Sequence, residues 1–162
     1  MHRWIKAAGI AALGVASLGA APPPESATVT MGKGYDKGAG LGTATVQQYY
    51  LLPDGATCHG KQRLAVFSMF SGKSTTKPVP AGAPVNIFAA VERANAFDTG
   101  VCQNNVTFTP IPGHGYTVLQ RSAVWASCNI EVTDTATNQP PADLKQDNSV
   151  QCIETVKPEK SK

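Results

Sequence analysis

The side chains with the most chemistry to offer are four cysteines, Cys58, Cys102, Cys128 and Cys152, and two histidines beyond the N-terminal segment, His59 and His114. The cysteines are spaced by 44, 26 and 24 residues. A structural zinc site uses close pairs such as Cys-x2-Cys with histidines nearby, so that four donors converge on one ion; this spacing offers none. Haem attachment needs a Cys-x-x-Cys-His run, which the lone Cys58-His59 step does not supply. No close pair suggests a redox dithiol, and nothing near the cysteines marks an activated thiolate. Disulfide formation is left, and an even count in an oxidising compartment favours it. Four cysteines allow three pairings that sequence alone cannot separate. The expectation adopted is Cys58–Cys102 with Cys128–Cys152, since sequential pairing suits neighbouring strands and the second bridge would tie down a loop rich in Pro, Asn and Asp.

The rest of the inventory does not assemble a catalytic site. His59 and His114 each lie beside a glycine in an expected turn, outside His-Glu-x-x-His or any ligand spacing, and Gly-x-Ser-x-Gly is absent. The carboxylates are scattered: Glu92 and Asp98 flank one loop, and Asp134, Asp143 and Asp147 another. A calcium loop places acidic residues at every second position around a glycine, which Asp143 to Asp147 does not do. The glycines from Gly32 to Gly42 lack the flanking strand and helix of a phosphate-binding loop, and Gly72-Lys73-Ser74 lacks its upstream glycine. Asn105-Val106-Thr107 matches the N-glycosylation triplet but opens an expected strand, and we do not read it as occupied. The expectation is a non-enzyme with no catalytic residue, no cofactor site and no metal ligands.

Location follows from the first 21 residues. Arg3 and Lys6 precede an apolar run from Ala7 to Ala21, and Pro22 to Pro24 begin a polar sequence. That pattern predicts a secretory signal peptide over residues 1–21, because a spanning helix needs roughly 20 predominantly apolar residues. With no cysteine before Cys58, lipoprotein-type acylation is not expected, and no membrane span remains after cleavage. Removing Arg3 and Lys6 leaves 12 basic against 11 acidic residues. The formal charge falls from +3 to near neutral, and Lys and Arg cluster only in the tail from Lys157 to Lys162. Nucleic acid is therefore not an expected partner. Periplasmic or secreted localisation is.

The elements that must carry these residues read as strands. Residues 22–42 are rich in Pro, Gly, Ser, Thr and Lys, and predict a flexible leader. Thr43 to Leu52 alternates and stops at the turn Pro53-Asp54-Gly55. Arg63 to Phe70 is continuously apolar, as a strand buried on both faces would be. Val85 to Val91 alternates again, while Ala89 to Ala96 is open between strand and helix. Val106 to Pro110 and Tyr116 to Gln120 flank a Pro-Gly-His-Gly turn as a hairpin. Cys128 to Thr133 has a clear two-residue period, and a last strand runs near Val150 to Val156. About seven strands, no long amphipathic helix and two staples predict an all-β antiparallel β-sandwich, immunoglobulin-like or similar, over residues 43–156, with a charged tail at 157–162. Trp125, three residues before Cys128, is placed to pack against a bridge.

Pro80-Ala81-Gly82 leading into VNIFAAV, then Cys102, the segment VTFTPIPGHGYTV (Val106 to Val118) and Cys128-Asn129-Ile130-Glu131-Val132 together resemble small exported proteins and lipoproteins of Gram-negative bacteria. In those proteins an x-Phe-x-Pro-x-x-Gly-x-x-Tyr segment precedes a Cys-x-Val/Ile-x-Val strand. The resemblance covers about 60 residues, its motifs are structural, and most such proteins carry no assigned activity. It implies an exported envelope protein. Combined with the empty site inventory, the expected function is a non-catalytic binding or structural module for a protein, glycan or cell-wall ligand. The alternative is a secreted inhibitor of a lysozyme or protease.

Overall fold

Strand β1 (Ser26–Gly32) shows how the sequence pattern becomes structure. Ala27, Val29 and Met31 are buried while Ser26 and Thr28 face out, the two-residue period of a half-buried strand. The structure is a computed structural model, and it describes residues 25–35, 44–55, 57–95, 99–123 and 127–153. The expected signal peptide, the charged tail, Trp125 and residues 36–42 of the expected leader lie outside them.

Eight further strands follow: β2 (Ala44–Leu52), β3 (Gln62–Phe67), β4 (Ser74–Pro80), β5 (Val85–Ala94), β6 (Thr99–Phe108), β7 (Gly115–Ala123), β8 (Ser127–Asp134) and β9 (Lys145–Asp147). They form a four-stranded sheet ordered β4-β1-β7-β8 and a five-stranded sheet ordered β3-β2-β5-β6-β9. The all-β sandwich is as expected, with nine strands among the described residues rather than about seven. All pairings are antiparallel except β1 with β7, where Thr28 to Gly32 run parallel to Gly115 to Leu119.

The facing sides of the sheets enclose one core built from Val29, Met31, Tyr49, Phe67, Val79, Ile87, Val106, Phe108, Val118, Ile130 and their neighbours. Tyr49 meets Phe67 edge to face at 6.0 Å, and Phe108 packs on Tyr116 at 5.0 Å. Each large apolar side chain buried here contributes about 1.5–3 kcal/mol. The five-stranded sheet also buries part of its outer face, where Leu52, Phe88 and Ala90 lie under Val150 with Tyr50, Cys58, Cys152 and Ile153 at the border. Gln103 fastens that cover: its Oε1 accepts the N–H groups of Cys152 and Ile153, at 2.9 and 2.8 Å.

Four expectations need correction, and one open reading resolves. Residues 150–153, expected to open a last strand near Val150 to Val156, are not strand but lie over the outer cluster, and residues 154–156 lie outside the described residues. Ser26–Gly32, expected within a flexible leader, is a strand hydrogen-bonded on both sides. The Ala-rich stretch is strand as far as Ala94, because Ala89 faces the main core and Ala90 the second cluster, a two-sided burial that hides the period. Arg63 to Phe70 is not one buried strand: β3 ends at Phe67, lies at a sheet edge, and Met69 and Phe70 are exposed. The bridges are Cys58–Cys152 and Cys102–Cys128. The physical reason for the pairing is that sequence neighbours here are not spatial neighbours. Cys102 on β6 meets Cys128 on β8 across the two sheets, and the chain after β9 returns over the outer face to place Cys152 beside Cys58.

Candidate functional site

The histidines resolve differently. His59 is exposed in the turn before β3. His114, expected as an exposed turn residue, is only partly so: its Nδ1 donates to Asp134 Oδ2 at 2.8 Å, with side-chain exposures of 30% and 7%. Asp134 also accepts the Ala136 N–H, and these donors, His114 first, hold its carboxyl below the usual range. The pair joins the β6–β7 turn to the end of β8, and Tyr116 beside it accepts the Ile111 N–H at 2.9 Å. The contacts of His114 Nδ1, Asp134 and the Tyr116 hydroxyl brace a turn.

The other carboxylates do similar local work. Asp143 accepts the Thr109 N–H, Asp147 accepts the N–H and hydroxyl of Ser149, and Glu92 accepts from Gln48. Asp98 lies outside the described residues. Among the described residues no three His, Cys, Asp or Glu side chains are grouped to hold a metal ion.

A buried polar layer crosses the core near Cys102–Cys128. Tyr49 donates its hydroxyl to Gly32 O and accepts from Gln47 Nε2 and the Gln120 N–H, at 2.8–2.9 Å. Burial pushes that hydroxyl well above its ordinary pKa. Gln120 Nε2 reaches Ala89 O and Cys102 O, and Asn104 Nδ2 reaches Cys128 O and Asn148 Oδ1. Such a layer fixes how the sheets align. Its Gln47, Tyr49, Asn104 and Gln120 side chains are buried, and Asn148 closes it at the surface.

What the molecule does present is the corner where β3 turns into β4. Phe70 is 94% exposed, Met69 58% and Val66, on the outer face of β3, 43%. The turn carrying them is locked. The Ser68 N–H donates to Ser71 Oγ at 2.6 Å, and that hydroxyl donates back to Ser68 O at 2.9 Å. Lys33 grips both ends of the turn from β1: its N–H donates to Lys73 O at 2.9 Å and its ammonium to Ser68 O at 2.6 Å. The ammonium also lies 4.8 Å from the Tyr35 ring centre. An apolar side chain held rigidly in water has no stabilising role in the isolated chain, whereas aromatic anchors of this kind dominate binding energy at interfaces.

The segment carrying this corner is basic in sequence, while Glu92 approaches its outer face through Gln48, the β2 partner of Val66. From Gly55 to Val91 the chain holds Lys61, Arg63, Lys73 and Lys77 and no Asp or Glu. Local pattern hides both features: Met69 and Phe70 continue the apolar run from Arg63, and Lys61, Arg63, Lys73 and Lys77 are too dispersed in sequence to form a cluster. The signals present were the Ser68 and Ser71-Gly72 turn residues and the acid-free stretch. No protein-family model matches this chain, and no curated protein is significantly similar to it.

Proposed function

We propose that this chain is an exported, non-catalytic binding module of the bacterial envelope that holds a protein, glycan or cell-wall partner through the β3–β4 corner. The observation that carries the reading is the near-complete exposure of Phe70 on a turn locked by Ser71 and Lys33. Export is supported by the basic, then apolar, N-terminal sequence and by two disulfides, which persist in oxidising compartments. In the test, mature protein and its Phe70→Ala variant capture partners from a periplasmic extract. The variant is expected to keep its stability within about 0.5 kcal/mol and to lose the partner that the parent retains. Equal retention by both, or turnover by the purified protein across a broad hydrolase panel, would overturn the reading.

A protruding, pre-organised turn with an aromatic tip is also the shape that enters an enzyme cleft, and this favours inhibition of a lysozyme or protease as the second reading. Full enzyme activity in the presence of excess protein removes it.

A further inference from the structure

We infer that β3 is a strand-addition site whose ligand is an extended peptide segment of net negative charge; this rests on the binding-module reading above and gives it a partner chemistry. An edge strand offers unpaired N–H and C=O groups to any extended chain, and folded proteins commonly block such edges. Three of the four edges here are blocked. On β4, Pro78 and Pro80 share one parity, and a strand proline is tolerated where its nitrogen faces away from the neighbouring strand. The free edge of β4 therefore lacks two donors, and exposed Lys77 immediately precedes them. On β8, Cys128 O accepts Asn104 Nδ2, Ile130 O accepts Gln146 Nε2, and Asp134 forms a bridge with Gln139. Those residues also share one parity, so that edge is already covered. β9 pairs over only three residues.

β3 is different. It runs six residues from Gln62 to Phe67 without proline and pairs only with β2 among the described residues, with one register shift at Leu64 that leaves Gln62–Arg63 and Ala65–Phe67 as its regular stretches. That length spans roughly 20 Å, room for a segment of about six residues. Val66 beside the edge and Met69 and Phe70 beyond its end offer apolar contacts to alternate side chains of an added strand.

Charge chooses the occupant. Arg63 is exposed on β3, Lys61 immediately precedes it with its ammonium on Cys152 O and 5.1 Å from the Tyr50 ring centre, and Lys73 and Lys77 follow. The nearest acids in sequence are Asp54, which accepts from Thr57, and Glu92, which accepts from Gln48. A second copy of this chain would set one acid-free basic segment against another. An acidic segment complements it and is steered toward it.

The test uses the mature, disulfide-intact protein and a capped hexapeptide alternating acidic residues with valine. A lysine-for-acid version serves as control, together with two versions N-methylated at odd or at even positions. Amide shifts and hydrogen exchange over residues 62–67 are the readouts. The acidic peptide is expected to bind at least about tenfold more tightly than the lysine peptide. It is also expected to protect alternate amides of β3 from Ala65 to Phe67, beyond the register shift at Leu64, and to lose binding when only one methylation parity is used. Arg63→Glu is expected to weaken binding by about tenfold with an unchanged melting temperature. Equal binding of both peptides, equal loss from both methylation parities, or concentration-dependent dimerisation through β3 would overturn the inference. Adsorption to phosphatidylglycerol vesicles without peptide binding would overturn it too. If the acidic peptide fails while Phe70→Ala still abolishes partner capture, strand addition falls and the binding module stands. If the peptide binds while Phe70→Ala leaves capture unchanged, the corner reading falls instead.

Discussion

At the scale of single residues, the polar groups that resemble chemistry are fasteners. Asp134, Asp143 and Asp147 have carboxyls held below their usual range, chiefly by the side chains of His114, Thr109 and Ser149 respectively. A carboxyl whose folded pKa is lowered contributes its full stability above the unfolded value near 4, and that contribution is lost as pH falls through the folded value. The melting temperature should therefore drop on acidification below about pH 4. Asp134→Asn should lower stability at neutral pH and flatten that acid limb; an unchanged limb in thermal melts across pH would contradict the brace. Tyr49→Phe tests the buried layer. It removes the acceptor of the Gln120 N–H, which has no water to turn to, and should cost about 1–3 kcal/mol in denaturant unfolding.

At the scale of elements, β1 is where composition and period pointed in opposite directions. The Pro-, Gly- and Lys-rich surroundings predicted a leader, yet Ala27, Val29 and Met31 alternate with Ser26, Thr28 and Thr30 in the pattern that the structure buries. Since β1 separates β4 from β7 in its sheet, deleting it removes the neighbour of each and three core side chains at once. A chain beginning at Ala44 should not fold, whereas one beginning at Glu25 should melt as one beginning at Pro22 does, by circular dichroism. Equal melts for both would restore the leader reading. Alternation was most legible where one face is wet, as in β8; in β2, Tyr49 enters the main core while Leu52 and Tyr50 turn to the outer cluster. It was lost in β5, buried on both sides, and in Arg63 to Phe70, where an edge strand and an exposed turn share one apolar run. The corner stayed hidden because exposure is decided by strand order, which a local pattern does not contain.

At the scale of the whole molecule, a formal charge of only +3 conceals segregation: four basic and no acidic residues lie between Gly55 and Val91, so the acids gather elsewhere. Strand order decides the disulfides as well. Cys102–Cys128 joins the two sheets across 26 residues, and Cys58–Cys152 closes 94 residues to clamp the final segment over Leu52, Phe88 and Ala90. Loop-closure entropy assigns about 3.5 kcal/mol to the shorter loop and about 4.7 kcal/mol to the longer, before any residual order in the unfolded chain reduces both. The two bridges should nevertheless fail in different ways. Replacing Cys102 and Cys128 by serine frees β6 from β8 and loosens the sheets against each other, so hydrogen exchange should rise through the main core. Replacing Cys58 and Cys152 should first expose residues 148–153 and the Phe88 face, because Gln103 and the Lys61 ammonium then hold that cover without a covalent tie. Local exchange confined to that cover, below the threshold of global unfolding, is the expected signature. Exchange that rises uniformly through both sheets would mean that the outer cluster is not a separate cooperative unit.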